Sequence, residues 1–234
     1  MNTALILSGG TGARLGTSIP KQYLTVNDKP ILSWCMERFV LHEEIDAVHI
    51  VAAPSWQTQI REWMEPIDRQ KKFRGFSSPG ENRQLSILHG LEDIRKYACD
   101  TDCVMIHDGA RPLVSAELVS ACLQAVKGHD GALPVISMKD TVYQSTDGRT
   151  ITSLLDRNTI FAGQAPEAFL LGKYYEANIR LLPERILEIK GSTEPAIMAG
   201  MDIAMIPGDE GNFKITTGED LERFRQLVLR RENK

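Results

Sequence analysis

Short apolar runs alternate along this chain with stretches in which apolar positions recur every three or four residues. Ala4–Leu7 is the first run, and it stops abruptly at Ser8-Gly9-Gly10-Thr11-Gly12, which predicts a buried strand entering a glycine loop. Pro30 stands before Ile31, Leu32, Trp34, Cys35, Phe39 and Val40, the pattern of a helix with proline at its first turn. Ala47–Ala52 predicts a second buried strand. Trp56, Ile60, Trp63 and Met64 then fall on one helical face, and so do Ile87, Leu88, Leu91 and Ile94. Cys103–Ile106 reads as a strand that stops at His107-Asp108-Gly109. A helix through Leu118, Val119, Cys122 and Val126 and a strand from Gly131 to Ile136 follow. Near the end, Thr217 caps a helix with Asp220 three residues on, and Leu221, Phe224, Leu227 and Val228 supply its buried face.

Strands alternating with helices call for parallel β-α-β units, hence an α/β domain whose mostly parallel sheet is covered on both faces. The whole chain, 1–234, reads as one domain. In such folds ligands sit beyond the carboxyl ends of the strands, so the polar clusters at 8–14 and 107–111 should share one crevice. Residues 139–155 break the alternation: Lys139–Tyr143 and Thr150–Leu154 flank the turn-like Ser145-Thr146-Asp147-Gly148. That predicts a protruding β-hairpin, either an arm reaching a second subunit or a flap of the same chain.

Composition narrows the function. With 27 Lys and Arg against 31 Asp and Glu, the net charge is −4, so the surplus of cations that a nucleic-acid or anionic-membrane binder needs is missing. No apolar stretch approaches the ~18 residues of a membrane span, and the N-terminal apolar run is too short and lacks the basic start of a signal peptide. Cys35, Cys99, Cys103 and Cys122 show neither zinc-site nor disulfide-framework spacing. The expectation is a cytoplasmic protein with reduced thiols.

The chemistry is cationic. Gly9, Gly10 and Gly12 allow backbone N–H groups to approach a polyphosphate, Arg14 can fork onto phosphate oxygens, and Lys21 adds a compact charge. No lysine stands where a Walker A loop requires one, and the dinucleotide fingerprint fails at Leu15. A tight turn without function is the alternative. Asp108, at a strand's carboxyl end, can hold magnesium together with substrate phosphates, with Arg111 placed for a second anion; the alternative is an Asp–Arg pair bracing a loop. His107 reads as a packed histidine rather than a base. Lys214 alternates with Phe213 and Ile215, as if on a strand with its side chain on the opposite face. No Ser–His–Asp or Cys–His set suggests a covalent route, and the inventory suits nucleotidyl transfer, where positioning and charge neutralisation carry the catalysis.

The glycine loop with Arg14, Pro20-Lys21-Gln22-Tyr23-Leu24, Gly80–Ser86, His107–Pro112, Asp140-Thr141, Asp156-Arg157 and Asn212–Thr216 occur in this order across nearly the whole chain. Together they resemble the 2-C-methyl-D-erythritol 4-phosphate and ribitol-5-phosphate cytidylyltransferases. The resemblance implies a homodimeric Rossmann-like, three-layer nucleotidyltransferase fold that uses CTP and magnesium. It implies that Ser8, Gly9, Gly10, Gly12, Arg14 and Lys21 hold the triphosphate, and that Gly80, Glu81 and Ser86 frame the cytosine. It places Asp108 by the ribose and metal, and Lys214 with Lys21 at the α-phosphate. Arg111 would meet the acceptor phosphate, helped by Thr141 and Arg157 from the partner's arm.

Three positions depart from the family pattern. Gln164-Ala165-Pro166-Glu167 stands where Q-T-P-Q is common, Ser192–Ala196 replaces T-D-[ED]-A, and Gly211 stands where an acid often precedes N-I-K, with Asp209 and Glu210 close by. All three lie on the acceptor or metal side. The expected reaction is transfer of CMP from CTP to 2-C-methyl-D-erythritol 4-phosphate with release of pyrophosphate. The alternatives are ribitol 5-phosphate or a phosphonate as acceptor, or a nucleotide-binding module without activity.

Overall fold

Ala4, Leu5 and Ile6 are fully buried, so the strand they form, β1 (Asn2–Leu7), lies inside the sheet and is paired on both sides. The computed structural model describes residues 1–10 and 19–232. A single 3-10 turn, Lys21–Tyr23, is followed by a small hairpin of β2 (Thr25–Val26) and β3 (Lys29–Pro30). Asn27 and Asp28 both adopt positive φ (51° and 56°), as a two-residue hairpin turn demands. Then come α1 (Ile31–Leu41), β4 (Ala47–Val51), α2 (Pro54–Met64), β5 (Phe73–Ser77), α3 (Arg83–Ile94), β6 (Cys103–Asp108), α4 (Ala116–Val126) and β7 (Gly131–Ser137), each where the apolar pattern predicts an element, with β5 and the small hairpin as additions.

The strand order is β5-β4-β1-β6, all parallel. Beyond β6 the pattern changes. After the arm strands β8 (Val142–Gln144) and β9 (Ser153–Leu155), the chain returns as β10 (Phe161–Gly163) and β11 (Glu167–Leu170), both antiparallel. β11 lies between β6 and the start of β7, and β10 pairs with the far end of β7. The helices α5 (Leu171–Ile179), α6 (Arg185–Glu188) and α7 (Glu194–Met198) lead to β12 (Ile203–Pro207), parallel to β7. The chain ends in α8 (Gly218–Glu232).

Alternation on the strands makes the three layers. Ala4, Ile6, Val48, Ile50 and Met105 pack with Met36 and Phe39 of α1, Ile60 of α2 and Val119 of α4. Leu5, Val51, Val104 and Ile106 pack on the other face with Ile87 and Leu91 of α3 and Tyr174 of α5. The last helix lays Leu221, Phe224 and Val228 against Val26, Ile31 and Ile215, with Trp34 edge-on to Phe224 at 5.7 Å. All four cysteines are free thiols, as expected, and three are buried. Among the described residues no helix is long and apolar enough to cross a membrane.

The arm is the expected hairpin. Val142, Tyr143 and Gln144 pair with Leu155, Leu154 and Ser153 in a sheet of their own. The Asp147 carboxylate accepts from the N–H groups of Arg149 and Thr150, and Gly148 takes φ +68°. Tyr143, Ile151 and Leu154 are exposed on it.

Candidate active site

Leu7 at the end of β1 and Asp108 at the end of β6 are register partners. The ladder runs on past both strands: Ser8 donates its N–H to Val51 O at 2.8 Å, and Gly109 to Leu7 O at 2.9 Å. The carboxyl ends of β1, β4 and β6 are therefore flush, and their loops leave the sheet at one place, as the fold rule requires. There they enclose a cleft of about 480 Å³ lined by Gly9, Gly10, Lys21, Arg83, Asp108 and Lys214, with Gly80, Glu81 and Ser86 along one side. A hollow of about 640 Å³ lies at the amino ends of β1 and β6, bordered by Met1, Asn2 and Cys103, away from the loops that carry the chemistry.

Asp108 is the hub. Its Oδ1 accepts from Arg83 Nη2 at 3.1 Å and Nε at 3.3 Å; its Oδ2 lies 3.0 Å from Lys214 Nζ and 3.3 Å from Arg111 Nε. Burial works to raise its pKa, but Arg83, Lys214 and Arg111 outweigh it and hold the carboxyl well below the usual range. The carboxylate is thus ionised, and three cations converge on it.

The side wall is built by the N-terminus of α3. Asn82 caps the helix through Oδ1 on Leu85 N–H at 2.8 Å, and Ser86 Oγ accepts from Gly80 N–H at 2.9 Å while donating to Asn82 O. A Cβ on Gly80 would stand 2.7 Å from Leu85 side-chain carbons, and one on Gly9 would stand 2.6 Å from Pro79 Cβ. These two glycines are required by close packing of the walls.

Several expected residues sit where the sequence reading puts them: Gly9, Gly10, Lys21, Gly80, Glu81, Ser86, Asp108 and Lys214 all border the cleft. Others lie elsewhere. The Ser8 hydroxyl donates to Tyr23 Oη and is buried behind the loop. Arg111 does not border the cleft; it pairs with Asp108 and donates through Nη1 to Asn212 O at 2.8 Å, bracing the loop that follows Asn212. Lys214 does not lie on a strand: the stretch before α8 is irregular, with Asp209 O taken by the Gln164 amide, Asn212 O by Arg111, and Ile215 N–H donated to Ala110 O. Gly12 and Arg14 lie outside the described residues. Thr141 and Arg157 are exposed at the base of the arm, where Arg157 Nη1 donates to Lys139 O, and they do not join the cleft of their own chain. His107 is structural, as expected: fully buried, edge-on to Phe39, with Nε2 3.1 Å from Arg111 O and its pKa lowered by burial to about 4.

Arg83 was missed. It lies inside the Gly80–Ser86 motif, and the turn that Asn82 caps aims it along β6, a direction that only the fold supplies.

The family model for 2-C-methyl-D-erythritol 4-phosphate cytidylyltransferase matches residues 3–231. The chain belongs to that family. It is an enzyme of the nucleotidyltransferase class, a cytidylyltransferase. It is 33% identical over 234 residues to the ribitol-5-phosphate cytidylyltransferase of Streptococcus agalactiae serotype V, spanning 100% of this chain and 97% of that protein. It is 36% identical over 221 residues to the 2-C-methyl-D-erythritol 4-phosphate cytidylyltransferase of Syntrophotalea carbinolica, spanning 93% and 91%. In fold it is similar to the solved 4-diphosphocytidyl-2C-methyl-D-erythritol synthase of Anaerococcus prevotii, with a TM-score of 0.82 at 23% identity over 98% of this chain and 96% of that one.

Within this cytidylyltransferase, two of the departures from the family pattern meet. Glu167 is buried on β11, and its carboxylate accepts from Ser192 Oγ at 2.5 Å and Thr193 Oγ1 at 2.8 Å. Burial raises its pKa, opposed by Arg83 and by the two hydroxyls. Of the segment before it, Gln164 donates to Asp209 O at 2.8 Å and Ala165 O accepts from Asn212 Nδ2 at 2.7 Å.

Proposed function

We propose that this cytidylyltransferase joins CMP from CTP to a small phosphorylated polyol, releasing pyrophosphate, with 2-C-methyl-D-erythritol 4-phosphate as the acceptor. The observation that carries the reading is the convergence of Lys21, Arg83 and Lys214 with Gly9 and Gly10 on one cleft at the carboxyl edge of the sheet. A phosphomonoester oxygen of the acceptor attacks the α-phosphorus in line. No general base is needed, because a phosphate dianion is already nucleophilic, and His107 is buried and neutral. Lys21 and Lys214 supply positive charge where charge builds on the non-bridging oxygens, with Arg14 assigned to the same task. Gly80, Glu81 and Ser86 frame the base.

Magnesium fits the donor set. Asp108 is ionised and faces the cleft, and magnesium binds through one or two carboxylates plus substrate phosphates. Among the described residues no cluster of three or more His, Cys, Asp or Glu side chains could hold an ion without the substrate. When bound, the ion neutralises triphosphate charge; Asp108 would hold it, and Arg83 and Lys214 would then be released toward the nucleotide.

The acceptor phosphate is assigned to Thr141 and Arg157 of a second subunit's arm, with Arg111 kept behind Asp108 as a brace, and the working form is read as a cytoplasmic homodimer. Ribitol 5-phosphate is the second acceptor reading, favoured by the match to the Streptococcus agalactiae protein over all 234 residues. Pyrophosphate release with CTP, magnesium and each polyol phosphate in turn decides: the acceptor with the higher kcat/KM is the substrate, and release with neither overturns the reading.

A further inference from the structure

We propose that Gln22 is a positioning residue of the triphosphate cradle, holding the carbonyl groups of the glycine loop away from the nucleotide so that the loop presents N–H groups. The proposal rests on the CTP reading above. A glycine loop binds anions only if its N–H groups point inward, and every N–H is followed by a carbonyl whose negative end repels phosphate. In the described part of the loop, the carbonyls of Ser8 and Gly10 are both taken by side chains. Both hydrogens of the Gln22 amide are used, one on Ser8 O at 2.8 Å and one on Gly10 O at 2.7 Å. Tyr23 Oη donates to the same Ser8 O at 2.7 Å, filling its second lone pair. Leu7 O is taken by Gly109 N–H.

These bonds are protected. Gln22 and Tyr23 are 4% and 5% exposed, and the Tyr23 ring stacks on Trp56 at 4.1 Å between centroids. One short turn therefore has two outputs: Lys21 and Gln22 border the cleft, and Gln22 and Tyr23 grip the backbone of Ser8 and Gly10. The residue type follows from the task. A glutamine presents two N–H donors on a neutral group; an isosteric glutamate presents none and sets a negative charge against two carbonyls.

The test is binding of CTP and of CMP by calorimetry to the full chain, its Gln22→Glu variant and its Tyr23→Phe variant, with magnesium. The expected result is a selective loss: Gln22→Glu weakens CTP by about tenfold or more while CMP changes by less than about twofold, because the cradle serves the phosphates beyond the first. Tyr23→Phe keeps the stack on Trp56, removes one donor, and weakens CTP by about threefold with CMP again unchanged. If Gln22→Glu does not fold, the Tyr23→Phe pair of affinities carries the test alone. Equal weakening of CTP and CMP, or CTP binding unchanged, overturns the role of Gln22 and leaves the CTP reading intact. A wild-type chain that binds neither nucleotide overturns both.

Discussion

Lys214 Nζ lies 3.0 Å from Asp108 Oδ2, so the loop before the last helix and the end of a central strand meet at a single carboxylate that also pairs with Arg83 and Arg111. Replacing Asp108 by Asn leaves three cations crowded without a counter-charge. The expected cost is about 3–5 kcal/mol of stability, since removing one partner of a buried ion cluster strands the others. Urea denaturation of Asp108→Asn measures it; a loss below about 1 kcal/mol would show that the cations separate freely into solvent.

Lys21→Ala and Lys214→Ala should lower kcat far more than they weaken CTP binding. An ammonium near the α-phosphate gains attraction as charge builds in the transition state. The expected loss is on the order of 10²–10³ in kcat for each. Lys21→Arg should rescue poorly, because a planar guanidinium does not reproduce a compact charge. Steady-state kinetics check this, and kcat values within a few-fold of wild type would remove these lysines from catalysis.

Glu167→Ala should destabilise the protein by about 2–4 kcal/mol, because the hydroxyls of Ser192 and Thr193 lose their acceptor and a cavity opens. Glu167→Gln, which keeps an acceptor, should cost less than half of that. Thermal melts of the two variants side by side give the answer; equal losses would mean that carboxylate charge, and not the hydrogen bonds, holds this corner.

Stability should fall as pH drops from about 6.5 to about 4. Burial lowers both His49 and His107 from 6.5 to about 4. In that window the unfolded chain takes up protons that the folded chain refuses, so each histidine removes about 1.4 kcal/mol per pH unit. Above about 6.5 this contribution is fully present and flat. Asp108, whose pKa is depressed, adds its own loss only at pH below the ordinary carboxylate range, near 4. Denaturation midpoints at a series of pH values, for wild type and His107→Gln, should show a shallower slope in the variant.

A chain carrying Asp at Tyr143, Ile151 and Leu154 should be monomeric by light scattering, should still bind CTP, and should lose acceptor turnover. Those side chains are exposed on the arm, and Thr141 and Arg157 flank its base. Wild type running as a monomer at micromolar concentration would remove the role of the arm in a second subunit's site.

Most strands and helices up to residue 137 were legible because each has its own period: Ala47–Val51 buried throughout, Trp56 to Met64 on one helical face; β5, mostly half-buried, and the two-residue strands β2 and β3 carry no such period. The stretch from Phe161 to Leu170 was not legible, because its two strands are short and antiparallel, and the helices α6 and α7 beyond it span about one turn each. The cleft's membership was readable from motifs, since loops after parallel strands meet by topology. The partners of Asp108 were not: an Arg three residues on is visible in sequence, but the ion pairs to Arg83 and Lys214 depend on α3 and the Asn212 loop folding over β6. Gln164 and Asn212, which determine where Lys214 stands, carry no pattern of their own.

The antiparallel strand β11 ties the loop that carries Lys214 to the sheet behind the cleft. Gln164 and Ala165, which lead into it, hydrogen-bond Asp209 and Asn212, while β11 itself is laced to the strand that ends in Asp108. The lysine-bearing loop, the corner around Glu167 and the sheet edge are thus mechanically indivisible. An engineer who wished to give this scaffold a different sugar alcohol would have to move residues 161–215 together as a cassette; grafting any one of its loops alone would cut the ties that place the others.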